Sequence, residues 1–169
     1  MRARRRAGTL EGPSILGLLG WIAITAGAAS IGGMAAANSR EFYASLQRPE
    51  WAPPGSVFGP VWTVLYLTMA VAAWLVWRAR SYVGARVAIG LFLVQLCLNI
   101  LWTWLFFAWH QGALALADIV LLWVAVAMTI NMFWRVRALA GALLVPYLAW
   151  VSFATALTYA VWKGNPGIL

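Results

Sequence analysis

The chain is 169 residues long, 64% hydrophobic and only 9% charged, against about 25% charged residues in an ordinary soluble domain, which excludes a water-soluble globular fold. Its formal net charge of +8 does not mark a nucleic-acid binder, because the arginines lie in short segments between long apolar runs and no basic stripe follows any helix. Cys97 is the single cysteine, so an intrachain disulfide framework and a cysteine-based zinc site are both excluded, and Cys97 itself reads as a small core residue.

Residues 1–14 form a basic tail. Met1 to Arg6 followed by Leu16 to Ala29 imitates a secretory signal, but the apolar run continues to Ala37, a length that suits a full membrane span. The first span, Ile15 to Ala37, carries Ala28, Gly32 and Ala36 at four-residue spacing, a stripe that lets another helix approach closely, inside the bundle or across a dimer contact. The connection from Asn38 to Ser56 holds Phe42, Tyr43, Trp51, Pro49, Pro53 and Pro54; fixed proline dihedrals make it stiff. A lid over an internal cavity and a loop packed on the headgroup region both explain that composition.

The second span, Val57 to Trp77, places Phe58, Trp62, Tyr66 and Met69 along one face. Arg78 to Arg86 connects it to the third span, Val87 to Trp109, where Gln95, Asn99, Trp102 and Phe106 share a face that does not suit lipid. After His110 and Gln111 comes the fourth span, Gly112 to Trp134. Asp118 is the only acid inside a span, at a cost of roughly 2.5 to 3.5 kcal/mol near a helix centre, so it is expected to have a partner; Trp123 reads as core packing. The fifth span, Leu139 to Trp162, carries Pro146, expected to free the carbonyl of Ala142 and bend the axis, and a stripe of Tyr147, Trp150, Ala154, Leu157 and Val161. The reading is an all-α membrane protein, one five-helix transmembrane domain over residues 15–163 with a short tail at 164–169.

Orientation follows from the basic residues. Nine lie on the side of the N-terminal tail and the second and fourth connections, and three, Arg40, Arg48 and Lys163, on the other; the positive-inside rule then puts the N-terminus in the cytoplasm and the C-terminus outside.

Twelve tryptophans are the most unusual feature. Trp77, Trp109, Trp134 and Trp162 sit where interfacial belts fall. Trp62, Trp102 and Trp150 lie within spans, on stripes that also hold polar or small residues, and aromatic walls with a few hydrogen-bonding groups describe a small-molecule site for a flat ligand. The expected hollow lies between the second, third and fifth spans; without free volume the same stripes are simply core. No paired carboxylates, nucleophile with base, or phosphate loop appears, and the single histidine, His110, sits in a two-residue connection. An ordinary enzyme, a resident metal or cofactor and histidine-ligated haem are therefore not expected.

Several segments resemble one known family. Phe42-Tyr43-Ala44-Ser45-Leu46, then Pro49-x-Trp51-x-Pro53-Pro54 and Pro60-x-Trp62-x-x-Leu65-Tyr66, are similar almost position by position to the first loop and second helix of the translocator protein family, also called the peripheral benzodiazepine receptor or tryptophan-rich sensory protein family. Gln95-Leu96-x-Leu98-Asn99, Phe106-Phe107, Ala115-Leu116-Ala117-Asp118 and Val145-Pro146-Tyr147-Leu148-Ala149-Trp150 to Trp162 continue the likeness from about Gly17 to the C-terminus. The resemblance implies a five-helix bundle, often homodimeric, that binds protoporphyrin-type tetrapyrroles and, in some members, cholesterol and aromatic drugs. Carried over by position, its pocket uses Phe58, Trp62, Asn99, Trp102, Ala117, Trp150, Ala154 and Leu157. Leu114 departs from relatives that place a ligand-facing tryptophan there. Trp62 and Trp150 match tryptophans implicated in porphyrin photodegradation, and Leu157, Tyr159 and Lys163 fit a loose sterol-recognition pattern. The expectation is thus a membrane receptor or sensor. A porphyrin enters under the loop, stacks on Trp62, Trp102 and Trp150, hydrogen-bonds Asn99 and pairs its carboxylates with Arg40 and Arg48. Transport, light-driven degradation and sterol binding stand as alternatives.

Overall fold

A computed structural model describes residues 14–37 and 39–169; the arginines of the basic tail and the side chain of Arg40 lie outside the described residues. Five long helices carry the chain: α1 (Ile15–Ala35), α3 (Phe58–Trp77), α4 (Ala85–Thr103), α5 (Gly112–Val136) and α6 (Ala138–Gly164), with a short α2 (Ser39–Ser45) in the first connection. Each long helix is extended and apolar enough to cross a membrane, α4 together with the π-helical turn Trp104–Ala108 that continues it. Leu16, Leu19, Val64, Leu67, Val87, Val94, Leu121 and Met128 are exposed on the outer faces. Such surfaces belong in lipid, and the protein is a multi-pass membrane protein. The expected spans fall on these helices, with ends that differ by one or two residues.

Local chemistry sets the ends. Ser14 caps α1, its hydroxyl accepting from Gly17 N at 3.1 Å. Pro60 lies in the first turn of α3, where its missing N–H costs no helical bond. Gly84 enters α4 at φ 97°, a left-handed value that suits glycine. α4 closes through the π turn, after which His110 at φ 53° reverses the chain into α5. A single extended residue, Arg137, separates α5 from α6. Pro146 is exposed, and α6 runs unbroken past it.

Contacts between the helices close a ring in the order α1, α3, α6, α5, α4 and back to α1. Its tail-side half is solid: Phe92 stacks on Phe133 at 5.8 Å and meets the edge of Trp21 at 5.7 Å, among fully buried Ala72, Ala73 and Val76. Belt tryptophans pack on glycines of neighbouring helices, Trp77 on Gly17, Trp162 on Gly112 and Trp134 on Gly141. A Cβ on Gly141 would stand 3.1 Å from the backbone Cα of Trp134, which cannot yield as a side-chain tip can. Gly141→Val therefore pries α6 from α5, and thermal melting in detergent should show about 1 to 3 kcal/mol of lost stability; an unchanged melt would mean the hairpin tolerates the branch.

Several expectations fail on the direction a residue faces. Cys97 is exposed rather than core: the inward face of α4 is set by Gln95, Asn99 and Trp102, and Cys97, two positions from Gln95 and from Asn99, points the opposite way. Trp123 is 39% exposed and donates its indole N–H to Ser152 Oγ at 2.8 Å across the outer side of the α5–α6 pair. Asp118 is buried, yet its Oδ2 has no hydrogen-bond partner among the described residues.

Candidate functional site

The first connection forms a fastened cap on the bundle. Tyr43, from α2, donates its hydroxyl to Pro53 O at 3.1 Å, and the Arg48 guanidinium lies 4.7 Å from the Tyr43 ring. Burial pushes the Tyr43 hydroxyl above its ordinary pKa, with Arg48 acting against that shift. Beyond them, Asn165 just past the end of α6 grips the backbone of Gln47 at both groups: its Oδ1 accepts from Gln47 N at 2.8 Å and its Nδ2 donates to Gln47 O at 2.9 Å. The same Nδ2 also donates to Val161 O at 2.7 Å. On the opposite side Phe42 stacks on His110 at 4.1 Å and meets Phe106 at 6.3 Å. Of the two readings of this segment, the geometry is that of a lid. Asn165→Ala removes three hydrogen bonds at about 0.5 to 1.5 kcal/mol each, and limited proteolysis should then cut residues 46–54 faster than in the wild type; equal cutting would show that the lid is held by its aromatics alone.

Under this lid lies a cavity of about 400 Å³, within the range of small-molecule sites. Ala29, Gly32, Gly33 and Ala36 form its α1 wall; Phe58, Gly59, Trp62 and Tyr66 its α3 wall; Trp102, Thr103 and Phe107 its α4 wall; Tyr43 closes the top. The expected hollow between the second, third and fifth spans is thus displaced: α1 replaces α6, because α6 fills the bundle centre with its own side chains. Fully buried Tyr147 meets Trp62 at 6.2 Å, and Trp150 sits behind Phe58 at 5.8 Å and beside Phe153 at 5.3 Å.

A buried polar network backs the α3 wall. Tyr66 donates to Asn99 Oδ1 at 2.7 Å, Asn99 Nδ2 donates to the Tyr147 hydroxyl at 3.1 Å, and Tyr147 donates to Gln95 Oε1 at 2.8 Å. With its proton committed, the Tyr66 oxygen can only accept from a ligand in the cavity. Trp102, 5% exposed, has an indole N–H with no partner among the described residues. The walls therefore combine indole and phenyl faces with one acceptor, Tyr66, while the Trp102 indole nitrogen is itself buried.

Of the residues expected at the site, Phe58, Trp62 and Trp102 line the cavity. Asn99 stands behind Tyr66 and positions it instead of reaching the cavity, because its side chain is engaged on both sides. Trp150 supports Phe58 from behind; Ala154 and Leu157 are buried in the helix core. Ala117 is exposed on α5, whose inward face is set by Ala115, Asp118, Ile119 and Leu122, and Leu114 is likewise exposed. The sterol pattern does not form one surface: Leu157 is buried, Tyr159 is half exposed, and Lys163 lies over the Trp162 ring at 4.5 Å. Arg48 lies on the lid against the Tyr43 ring and does not line the cavity. The α1 wall was missed, although two of its residues, Gly32 and Ala36, were visible in the small-residue stripe; spacing alone does not say whether such a stripe faces a helix or a void.

Comparisons with known proteins agree with this architecture. The model of a family described as the TspO/MBR family matches residues 21–163. The chain is similar to the human translocator protein, 43% identical over 128 residues that cover 75% of this chain and 76% of that protein. It is also similar to Protein CrtK of Rhodobacter capsulatus, 39% identical over 127 residues covering 75% and 79%. A third relative is the tryptophan-rich protein TspO of Chlorobaculum tepidum, 40% identical over 129 residues covering 74% and 80%.

Proposed function

This chain belongs to the TspO/MBR family, and from that premise we propose that it is a membrane receptor for protoporphyrin-type tetrapyrroles and related flat hydrophobic molecules. The observation that carries the reading is the lidded cavity of about 400 Å³ with Trp62, Trp102, Phe58 and Phe107 on its walls. Indole faces attract a flat conjugated ring, and the apolar helices hold that ring out of water. Tyr66 supplies a polar complement, and Arg48 on the lid offers a cation to a carboxylate at headgroup depth. The asymmetry of basic residues supports a cytoplasmic N-terminus and an outer lid and C-terminus. The family resemblance supports a homodimer, to be measured by light scattering in detergent.

Titration of the purified protein with protoporphyrin IX in the dark tests the proposal. Tryptophan fluorescence should fall to a saturating plateau, and the porphyrin extracted afterwards should be intact. Linear, unsaturable quenching would overturn the proposal. Loss of porphyrin absorbance in light but not in dark would instead establish the light-driven degradation that the resemblance suggests for Trp62 and Trp150.

A further inference from the structure

We propose that the ligand reaches the cavity sideways from the bilayer, through the seam between α1 and α3, and not past the lid; the inference rests on the receptor reading above. α1 and α3 are bound tightly at one end only. On the tail side Gly17 packs against the Trp77 ring and Trp74 donates its indole N–H to Ser14 O at 3.2 Å. At the lid side α1 and α3 carry Gly33 and Gly59, both exposed, both lining the cavity, and a Cβ built on either meets nothing within 4 Å. Two side-chain-free positions at the lid-side end of the seam leave an opening there.

The opening continues down the seam. A second hollow of about 320 Å³ on the outer side of the same two helices is lined by Ile22, Ala26, Ala29, Trp62, Tyr66 and Leu67, among others. Ala29, Trp62 and Tyr66 line both hollows and so form a wall that the groove and the interior share. Ile22 lies thirteen residues before Ala35, the end of α1, about 20 Å down the helix. The seam therefore spans from headgroup depth on the lid side toward the bilayer centre. A flat amphiphile lying in that leaflet, ring among acyl chains and carboxylates at the headgroups, meets the seam in the orientation the cavity needs. The alternative way in, past the lid, requires release of the Asn165 clamp, the Tyr43 to Pro53 bond and the Phe42 stack on His110.

Exchange kinetics of protoporphyrin IX between phosphatidylcholine vesicles and the reconstituted protein test the route. Association is read by stopped-flow tryptophan quenching and dissociation by a chase with empty vesicles. Gly33→Leu and Gly59→Leu, at positions where an added Cβ meets nothing within 4 Å, should slow association and also slow dissociation by about tenfold, the behaviour of a gate, whereas a side chain that only crowded the bound ligand would speed dissociation. Gly33→Ala and Gly59→Ala should give smaller decreases in the same order, which keeps the test usable if a leucine variant does not fold. Asn165→Ala should leave both rates unchanged. Unchanged rates in the glycine variants, or acceleration of both rates by Asn165→Ala, would overturn the seam route while leaving the receptor reading intact; absence of saturable quenching in the wild type would overturn both.

Discussion

Replacing Trp62 and Trp102 together by alanine should weaken protoporphyrin IX binding about 100-fold, with each single variant near tenfold. Both indoles line the cavity, from different helices. Trp62 is held from behind by Tyr66 at 5.6 Å and Tyr147 at 6.2 Å, and Trp102 by Phe106, stacked at 5.9 Å, and Phe107 at 6.0 Å. Rings fixed in this way lose little freedom when a ligand stacks on them, so their attraction is expressed almost fully in affinity. Each truncation removes about 1.5 kcal/mol of aromatic contact, and the two sites lie on separate walls, so the losses should add. Trp150→Ala, one layer back behind Phe58, should have a smaller effect through that ring. Fluorescence titration of the four proteins, corrected for the missing tryptophans, makes the comparison.

Asn99→Leu should be the most destabilising single substitution in the bundle, at about 3 kcal/mol or roughly 10 °C in melting temperature. Leucine matches asparagine in size but strands both neighbours: the Tyr66 hydroxyl loses its acceptor at 2.7 Å, and the Tyr147 hydroxyl loses its donor at 3.1 Å. Tyr147 is fully buried, so no water replaces its lost partner. Making such bonds in a membrane is worth only about 0.6 to 1.7 kcal/mol each, so Tyr66→Phe, which strands one group, the Asn99 Oδ1, where Asn99→Leu strands two hydroxyls, should cost less than Asn99→Leu. Thermal melts of the two variants in one detergent check the order. A Tyr66→Phe protein as unstable as the Asn99→Leu protein would show that the network is not what holds α3, α4 and α6 together.

The sequence carried the bundle plainly and the site in part, for a physical reason. Membrane spans announce themselves by length and apolarity, so all five helices were legible, along with Phe58, Trp62 and Trp102 on their inward stripes. In a soluble helix the same stripes would also identify the outward face by its polarity. Here lipid takes leucine as readily as the core does, and that cue is gone. Cys97 and Trp123 were therefore misdirected and the hollow was given α6 as its third wall, while Ala117, placed by resemblance alone, lies on the exposed face of α5. Tyr147 has both the size and the hydrogen bonds to fill the bundle centre, which pushes the void outward to α1. Alanine and glycine at positions 29, 32, 33 and 36 make that void possible, but in a sequence they look the same as close helix packing. The Asn165 clamp on Gln47 joins residues 118 positions apart, beyond the reach of any local pattern.

Filling the cavity from its least aromatic wall tests the central claim most directly. Ala29 lines the hollow on α1 and is only partly buried, so Ala29→Phe can place a ring in the void without displacing a packed side chain. The variant should melt as the wild type does and show no saturable quenching by protoporphyrin IX. A stable Ala29→Phe protein that binds the porphyrin with wild-type affinity would contradict the account.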